Sequence, residues 1–384
     1  MNFTLSEEHK LIQEAARDFA AAEIKDAIER DEASEFPHAI IPKLGEMGFM
    51  GMMVPPEYDG AGMDAVSYVL AMEEISKVDA SVGVVMSVNN SLVCWGINEH
   101  GTEAQKQKYL RPLAKAQNDG KLYIGAFCLS EPDAGSDATH QSTNAYLDGD
   151  HWVLNGAKNW ITNGTTAEVY LVFATTDKSK GSRGISCFIV ERGTKGFDVL
   201  KKEKKLGIRS SDTCSLGFTD CHIPTENMLG PEGEGFKIAM KSLDGGRIGI
   251  AAQALGIAAA SLEKSIKYAG ERKSFGKPIF EHQAIQMKLA DMATELDGAR
   301  LLVLQAAWMK DQGMKYSRQS AMCKLFASRI AVKAALEAIQ IHGGYGYVQE
   351  YEVERYLRDA KITEIYEGTS EVQHIVIARD LLRD

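Results

Sequence analysis

The residue best suited to acid–base chemistry is a glutamate in a short apolar loop. Glu367 lies in IYEGT at 365–369, directly before SEVQ at 370–373. The S-x-x-Q pattern is a capping box and predicts a last helix that starts near Glu371, so Glu367 should lie in the loop before it. A loop glutamate is more often solvated, and Glu367 on its own is therefore only a candidate for a catalytic carboxylate.

Two further motifs have the composition of a ligand-binding surface. LSEPDAGSD at 129–137 follows an apolar strand, and such a turn can present backbone N–H groups and Ser hydroxyls to phosphate oxygens. KNWITNG at 158–164 ends a strand with Trp160 and Thr162 on one face, and a flat apolar wall beside a hydroxyl suits an isoalloxazine or base ring. The alternatives are an ordinary surface turn for the first motif and a Trp buried in the core for the second.

Glycines inside or at the end of helical patterns mark other places where a ligand could approach the backbone. DGGR at 244–247 puts two glycines where a helix would otherwise continue. Each costs up to about 1 kcal/mol relative to Ala, which a ligand touching the backbone would explain. QIHGGYG at 340–346 ends a long helix, where paired glycines permit a C-cap or a close cofactor contact.

A third glycine-rich segment resembles a nucleotide-binding fingerprint but lacks its context. GAGMDA at 60–65 matches G-x-G-x-x-A, yet it follows VPPEYD, whose two prolines exclude the central strand that the fingerprint requires. We therefore expect a loop that enters a helix at this position.

Composition limits the classes of protein to which these motifs can belong. The chain has 384 residues, 45% of them hydrophobic and 25% charged, which is typical of a globular protein of two or three domains. A net charge of −10 argues against a nucleic-acid partner, which needs a basic face. Six cysteines without a C-x-x-C pair and nine scattered histidines indicate a reduced compartment and predict no metal site.

The first residues and the apolar runs favour a cytoplasmic location without a membrane segment. MNFTLSEEHK has neither the basic start and apolar block of a signal peptide nor the Arg-rich composition of an organellar presequence. The longest weakly polar run, at 248–262, contains Gln253 and falls short of the roughly 18 residues that suggest a membrane span.

Three regions with different secondary-structure patterns must position the motifs. Up to about residue 116, apolar residues recur at three- and four-residue intervals, which predicts helices. Short β-branched and aromatic runs follow, and their close spacing favours antiparallel strands over βαβ units. Long helical stretches at 236–273, 283–312 and 316–341 then predict a bundle. The predicted fold class is α+β, with an N-terminal α-helical domain at 1–120, a middle antiparallel β-domain at 121–230 and a C-terminal bundle of long helices at 231–384.

Together the motifs resemble those of one enzyme family. LSEPDAGSDA, KNWITNG, DGGR, ERKSFG, QIHGGYG and IYEGTSEVQ occur in the order and approximate spacing found in the acyl-CoA dehydrogenases, over essentially the whole chain. The resemblance implies the same three-domain fold, with a four-helix bundle as the C-terminal domain, together with non-covalently bound FAD and oxidation of an acyl-CoA thioester to the trans-2-enoyl-CoA. It also implies a homotetramer that passes electrons to electron-transfer flavoprotein.

The resemblance also implies roles for residues at the matching positions. Glu367 would remove the pro-R α-proton while the β-hydride goes to flavin N5, and a ribityl hydroxyl and the backbone N–H of the base would hold the thioester carbonyl. Residues implied to bind FAD are Phe127, Cys128, Leu129, Ser130, Gly135, Ser136, Trp160, Ile161, Thr162, Arg272, Gln283, Gln340, Ile341, His342, Gly343, Gly344, Thr369, Ser370 and Glu371. Of these, Arg272, Gln283 and the run 340–344 would reach the FAD of a neighbouring subunit. Residues implied to bind the acyl-CoA are Ser136, Asp244, Gly245, Gly246, Arg247, Gln253, Thr363 and Gly368.

The finer resemblance concerns the acyl chain. In isovaleryl- and long-chain members the base lies at the position of Gly246. Glycine has no side chain that could act as a base, so Glu367 is the single candidate. The sequence around DGGR and IYEGT is most similar to that of short-chain, butyryl-type members. This similarity implies that Gln253 and Thr363 narrow the acyl pocket. His342 departs from the apolar residue of many such members. The alternatives are medium- or branched-chain specificity, an acyl-CoA oxidase, or a non-catalytic helical scaffold of the same fold.

Overall fold

The N-terminal region is helical, as its periodicity predicts. The computed structural model describes residues 4–383, so the outermost positions of the predicted terminal domains, 1–3 and 384, lie outside the described residues. Ser6 caps the first helix by accepting a hydrogen bond from the His9 N–H at 3.1 Å, and one helix face is buried. The helices are α1 (Glu7–Glu23), α2 (Ala27–Ala33), α3 (Ile41–Glu46), α4 (Ala65–Val78), α5 (Ala80–Ser87), α6 (Trp95–His100), α7 (Glu103–Gln105) and α8 (Arg111–Ala114), with π-helical turns at Val88–Cys94 and Lys106–Leu110.

The glycine-rich segment before α4 is a loop, as predicted. It follows a 3-10 turn at Pro56–Tyr58, and Asp64 caps α4 by accepting from the Ser67 N–H at 2.7 Å. A Cβ on Gly60 would lie 2.1 Å from the Val54 carbonyl oxygen, so close packing accounts for this glycine.

The middle region contains a seven-stranded sheet and a small hairpin. The strands are β1 (Gln117–Asn118), β2 (Lys121–Leu122), β3 (Gly125–Cys128), β4 (Asn144–Asp148), β5 (His151–Thr162), β6 (Val169–Thr175), β7 (Ile185–Glu191), β8 (Phe197–Lys202) and β9 (Thr213–Pro224). The strand order of the large sheet is β3-β6-β4-β5-β9-β8, and β7, which is outside this order, also pairs with β6.

The sheet is mixed, whereas the sequence predicted an antiparallel domain. Most pairs are antiparallel, but β3 pairs with β6 in parallel, with Gly125 opposite Val169 and Cys128 opposite Val172. A single parallel bridge also joins β4 and β6, between Asn144 and Thr175. The antiparallel prediction is therefore wrong for these pairs. The crossover from β3 to β6 is made by the chain that contains β4 and β5, so short intervals between strands did not exclude a parallel pair.

The C-terminal region is helical, as predicted. Its helices are α9 (Gly235–Glu271), α10 (Gln283–Asp311), α11 (Ser317–His342), α12 (Val353–Thr363) and α13 (Ser370–Leu381), and strands β10 (Lys273–Ser274) and β11 (Lys277–Pro278) form a hairpin between the first two. The long helices α9, α10 and α11 pack on one another, α12 packs on α9 and α11, and α13 packs on α11. Further 3-10 turns lie at Lys178–Gly184, Thr225–Asn227, Ile279–Glu281, Gly343–Tyr347 and Gln349–Tyr351.

The last helix begins one residue earlier than the capping pattern predicted. Thr369, and not Ser370, is the N-cap, since its hydroxyl accepts from the Val372 N–H at 3.3 Å. Gln373 closes no capping box, because its amide donates to the Gly368 carbonyl at 2.7 Å. Two adjacent residues of capping type made the pattern ambiguous by one position. The shift places Gly368 against the start of α13.

One helical run, Ala80–His100, is long and apolar enough to cross a membrane by length and composition. In the fold, 94% of its apolar window is buried, and the run packs against α9 and β3. It serves as a core helix between the helical and the β-structured parts of the molecule.

Candidate active site

Glu367 lies in the loop between α12 and α13, in a backbone conformation that suits glycine. Its φ is +51°, and that of Gly368 is +94°. Such a conformation costs a non-glycine residue about 1–3 kcal/mol, so the surrounding packing must hold it in place. The Ser370 N–H donates to the Glu364 carbonyl at 2.9 Å and closes the loop.

The Glu367 carboxylate packs against α9 at Gly246. A Cβ built on Gly246 would lie 2.1 Å from Glu367 Oε2 and 2.9 Å from Leu92 Cδ2, so no larger residue fits there without movement. Oε2 is buried and has no hydrogen-bond partner within residues 4–383. The second glycine of DGGR is therefore explained by the carboxylate that it accommodates.

The surroundings of Glu367 raise its pKa into the range of a working base. Burial raises the pKa of Glu367 to about 7, against the opposing effects of the Lys324 and Arg247 charges. A carboxylate with this pKa is ionised in a large fraction of molecules at neutral pH and still binds a proton well. Both properties are required of a general base.

The backbone of Glu367 offers a hydrogen-bond donor beside its carboxylate. The Glu367 N–H donates no hydrogen bond to any other described residue, whereas the neighbouring Tyr366 N–H donates to Ile362 O at 3.1 Å. A free N–H next to a base can bind a carbonyl oxygen on which negative charge develops. Base and donor thus come from one residue.

The DGGR run lies on α9 with its charged ends paired. Arg247 is buried, and its Nη1 donates to Asp244 Oδ1, while the Ser317 hydroxyl donates to Asp244 Oδ2. Arg247 Nε is buried without a partner among the described residues. On the same helix, Gly245 faces the Lys310 ammonium, which would lie 3.6 Å from a Cβ at that position.

Gln253 and Thr363 lie beside the Glu367 loop in the interior. Both side chains are fully buried. The Gln253 amide donates to the Ala80 carbonyl at 2.7 Å, and its oxygen accepts from the Tyr366 hydroxyl. The Thr363 hydroxyl donates to the Ala360 carbonyl at 2.7 Å. Tyr366, the residue that precedes Glu367, thus connects the Glu367 loop with Gln253 of α9.

The structure brings the two aromatic and hydroxyl-rich motifs of the β-domain together. The Asn159 N–H donates to the Ser130 carbonyl at 2.8 Å, which docks the turn after β3 onto the end of β5. A bulge between Lys158 and Ile161 interrupts the pairing of β5 with β9, and Trp160 there has φ +62°. Trp160 is 60% exposed, so its interpretation as a core residue is wrong.

The predicted cofactor residues of these motifs differ in how far their side chains are accessible to a ligand. Ser130, Thr162 and Phe127 are half-buried, and Gly135 and Ser136 are exposed. The side chains of Cys128, Leu129 and Ile161 are buried in the core, so these three can contact a ligand only through their backbone.

A buried ion pair that the sequence did not indicate joins the two motifs. Lys158 is fully buried, and its ammonium donates to Glu131 Oε1 at 2.8 Å, Gln141 Oε1 at 3.0 Å and the Leu129 carbonyl at 3.1 Å. Strand alternation places Lys158 on the face opposite its neighbour Asn159. The sequence could therefore have indicated that the Lys158 side chain lies on the other face of the strand from Asn159. It could not have identified Glu131 as the partner of Lys158.

Two asparagines connect the β-domain motif with the helix that faces Gly246. The Asn163 amide donates to the Gly125 carbonyl at 3.0 Å, and the Gly125 N–H donates to Asn89 Oδ1 at 3.0 Å. Asn89 lies in the π-helical turn that also carries Leu92, the neighbour of Gly246. No sequence motif marked Asn89, because its role depends on contacts between distant segments.

The remaining predicted cofactor residues lie at the other end of the long helices. Arg272, Gln283, Gln340, Gly343 and Gly344 are exposed, and the Arg272 guanidinium lies 5.6 Å from the centre of the Tyr345 ring. Ile341 and His342 are buried, and the His342 ring stacks on Tyr268 at 4.2 Å.

The last three predicted cofactor residues begin α13. Thr369 uses its hydroxyl as the helix cap, Ser370 is half-buried and Glu371 is exposed.

Comparison with known protein families covers nearly the whole chain. Three family models match: "Acyl-CoA dehydrogenase, N-terminal domain" at residues 6–117, "Acyl-CoA dehydrogenase, middle domain" at 126–221 and "Acyl-CoA dehydrogenase, C-terminal domain" at 233–382. These matches cover the predicted helical, β-structured and helical regions in the same order.

Individual relatives match over their full length. The chain is 50% identical to the short-chain specific acyl-CoA dehydrogenase of Clostridium acetobutylicum over 100% of both chains. The butyryl-CoA dehydrogenase of Megasphaera elsdenii superposes with a TM-score of 0.96 at 47% identity, again over 100% of both chains. A chain solved in work on the electron transferring flavoprotein of Acidaminococcus fermentans and flavin-based electron bifurcation superposes with a TM-score of 0.98 at 51% identity, over 100% of both chains. The chain belongs to the acyl-CoA dehydrogenase family.

Proposed function

We propose that this enzyme oxidises short-chain acyl-CoA thioesters of the butyryl type to their trans-2-enoyl-CoA products, with Glu367 as the base. The observation that carries the proposal is the Glu367 carboxylate: its Oε2 is buried against Gly246 without a hydrogen-bond partner among the described residues, and burial raises the pKa of Glu367 to about 7. A non-catalytic scaffold would have no reason to keep this costly arrangement.

The cofactor of the family is FAD, which when bound would accept the β-hydrogen of the substrate as a hydride at flavin N5. The exposed Trp160 with its left-handed backbone, beside the open turn at Gly135 and Ser136, fits a flat ring carrying a phosphate tail. Ser130 and Thr162 would hydrogen-bond the ring. Arg272 and the exposed residues 283, 340, 343 and 344 would contact the FAD of a neighbouring subunit.

The chain's own residues carry the proton chemistry. The α-proton of a thioester is too weakly acidic for a carboxylate in water, so the carbonyl oxygen must be stabilised as charge develops on it. We assign this to the unpaired Glu367 N–H, while the Glu367 carboxylate removes the α-proton. Because base and donor share one residue, the loop conformation fixes their relative position.

Substrate binding is proposed along α9 and the Glu367 loop. Asp244, Arg247, Gly368 and Ser136 would contact the CoA portion, with Gly245 and Gly246 leaving room for the backbone to approach it. The buried Arg247 Nε without a partner supports a polar ligand at this position. Gln253 and Thr363 would close the acyl pocket, and the relatives named short-chain specific and butyryl-CoA dehydrogenase support a short chain.

The wider assignments are also proposals. Electron-transfer flavoprotein is the proposed electron acceptor, supported by the close match to a chain studied with that protein in Acidaminococcus fermentans. We propose a homotetramer, and a cytoplasmic location that agrees with six buried, unpaired cysteines. Domain boundaries near 120 and 230 are supported by the change from α8 to β1 and the start of α9 at Gly235.

Anaerobic reduction of the bound flavin by acyl-CoA substrates of increasing length tests the proposed function. We expect butyryl-CoA to reduce the flavin at least about tenfold faster than octanoyl-CoA, since a clash in a closed pocket costs more than a missing contact. Faster reduction by octanoyl-CoA would contradict the short-chain assignment. Oxygen uptake during turnover would point to an oxidase instead.

A further inference from the structure

Two buried side chains hold the Glu367 loop from behind. Lys324 of α11 and Gln373 of α13 are fully buried, and each donates to the Gly368 carbonyl oxygen at 2.7 Å. The Gln373 amide also lies 3.4 Å from the Glu367 carbonyl oxygen. Two donors on one carbonyl fix the peptide between Gly368 and Thr369, and the longer Gln373 contact reaches the peptide that follows Glu367, so together they hold the turn in which Glu367 has its left-handed conformation.

We propose that Lys324 is a positioning residue for the base, which fixes the turn at Gly368 and supplies the positive charge that keeps the Glu367 carboxylate ionised. The inference rests on the proposed function, because it assigns Glu367 the role of base. It extends that function to a residue of α11 outside the motifs that carry the family resemblance.

The hydrogen bond alone does not require a lysine. Gln373 already donates to the same carbonyl, and a neutral side chain at 324 could donate as well without the cost of burying an ammonium. Burial lowers the pKa of Lys324 to about 8, while the nearby Glu367 charge raises it. A costly charge that is retained beside a carboxylate indicates that the charge itself is used.

The groups that face Glu367 leave Lys324 as the principal cation. They come from four elements: Lys324 of α11, Arg247 of α9, Tyr68 of α4 and Tyr366 of the loop. Burial raises the pKa of both tyrosines, so they stay neutral. Arg247 is paired with Asp244, which offsets part of its charge.

Carboxylates near Lys324 do not neutralise it directly. Glu364 and Glu371 both raise the pKa of Lys324. However, Glu364 forms an ion pair with Lys361 at 2.6 Å, and Glu371 is exposed to solvent. The charge of Lys324 therefore acts mainly on Glu367, where it lowers the carboxylate pKa more than Arg247 does.

The pH dependence of flavin reduction by butyryl-CoA in single turnovers between pH 6 and 10 tests the proposal. Lys324→Gln keeps a donor and removes the charge, whereas Lys324→Met removes both. We expect the apparent pKa of reduction to rise by about one unit in each variant, which means a roughly fivefold loss at pH 7 that recovers at alkaline pH. Lys324→Met should also lose part of its alkaline plateau.

A matched control separates this effect from the loss of any buried lysine. Lys205 lies in the β-domain, is half-buried and donates to the Ser211 carbonyl at 2.5 Å, and burial lowers its pKa to about 8. Lys205→Gln should leave the profile unchanged. A Lys324→Gln profile with the wild-type midpoint, whatever its plateau, would overturn the proposal.

A second measurement requires no turnover. Thermal unfolding of the FAD-loaded protein at pH 7.5 is compared for wild type, Glu367→Gln, Lys324→Gln and the double variant. We expect Glu367→Gln to raise the melting temperature more in the Lys324→Gln background, where the carboxylate has lost its cation. Additive effects would overturn the coupling. An intact coupling without butyryl-CoA oxidation would instead contradict only the proposed function.

Discussion

Two buried lysines lie near glutamates in this protein, and comparing them separates a structural carboxylate from the one that we propose as the base. Lys158 binds Glu131 directly at 2.8 Å, and Glu131 also accepts from the Thr143 N–H at 3.0 Å. Lys324 instead donates to a backbone carbonyl, and the Glu367 Oε2 beside it has no hydrogen bond within the described residues. Both lysines are fully buried, so burial alone does not distinguish the pairs.

The difference lies in how much of the carboxylate charge is satisfied. Burial raises the pKa of Glu131, but the Lys158 charge and several hydrogen bonds outweigh it and hold that pKa below its usual value. At Glu367 burial prevails, and the pKa rises to about 7. Satisfied hydrogen bonds keep a carboxylate ionised and inert. Leaving them out produces a carboxylate that can accept a proton.

Removing the carboxylate of the proposed base, Glu367, should have the largest effect on catalysis. Glu367→Gln preserves shape but cannot accept the α-proton, and we expect flavin reduction by butyryl-CoA to fall by roughly 10³-fold or more, with FAD and acyl-CoA still bound. Glu367→Asp should be slower than wild type but active, because the carboxylate is withdrawn by one methylene. Stopped-flow absorbance at the flavin band measures both. Near wild-type reduction by Glu367→Gln would show that another group is the base.

Breaking the structural pair should affect stability instead of the proton step. Glu131→Gln leaves the Lys158 charge buried without its counter-ion, and we expect a loss of about 3–5 kcal/mol in the free energy of unfolding, with weaker FAD retention. Denaturant unfolding followed by circular dichroism and flavin release measures it. The control pairs Lys158→Met with Glu131→Leu and should recover much of the loss. An unchanged unfolding midpoint in Glu131→Gln would contradict the structural role.

The two carboxylates should also respond oppositely to pH. Because the folded-state pKa of Glu367 is raised from 4.5 to about 7, its contribution to stability is present below pH 4.5 and is lost as the pH rises through 7. Glu367→Gln should therefore be more stable than wild type by about 1–3 kcal/mol at pH 8, with the difference shrinking towards pH 5.

Melting temperatures across this pH range provide the test. For Glu131, whose pKa is lowered, the stabilisation is present above its usual pKa and is lost on acidification. A constant difference between wild type and Glu367→Gln from pH 5 to 8 would show that Glu367 does not titrate in this range.

The smallest effect concerns Gln253 and Thr363, the proposed floor of the acyl pocket. Gln253→Gly with Thr363→Ala should open space for additional methylenes, each worth roughly 0.8 kcal/mol or about a fourfold gain in binding. Activity should shift from C4 towards C6 and C8, measured as kcat/KM for each acyl-CoA. Ser265→Ala changes another buried residue of α9 and should leave the preference unchanged. An unchanged preference in the double variant would place the pocket floor elsewhere.

Much of the fold and the base candidate could be predicted from local sequence. Helix periodicity defines the long helices of the C-terminal region, and the apolar loop before the last helix contains Glu367. The capping position was ambiguous because Thr369 and Ser370 are both capping residue types. Only the hydrogen bonds that Thr369 and Gln373 form in the folded chain identify Thr369 as the cap.

Contacts between distant segments could not be predicted. The parallel pairing of β3 with β6 depends on how the chain crosses over. The contacts of Lys324 with Gly368, of Glu131 with Lys158 and of Asn89 with Gly125 each join residues that are 27 or more positions apart in sequence. A single sequence specifies such partners only through the folded structure. The predicted roles in binding FAD and CoA also remain predictions.

The contact between Gly246 and Glu367 limits how this site could evolve. A side chain at 246 would occupy the space of Glu367 Oε2, so a base at each position would exclude the other. A lineage that relocates its base to α9 cannot first add the new carboxylate and later discard the old one. It must pass through a form without a base or change both codons together. This mutual exclusion would make the position of the base a lasting mark of descent within the family.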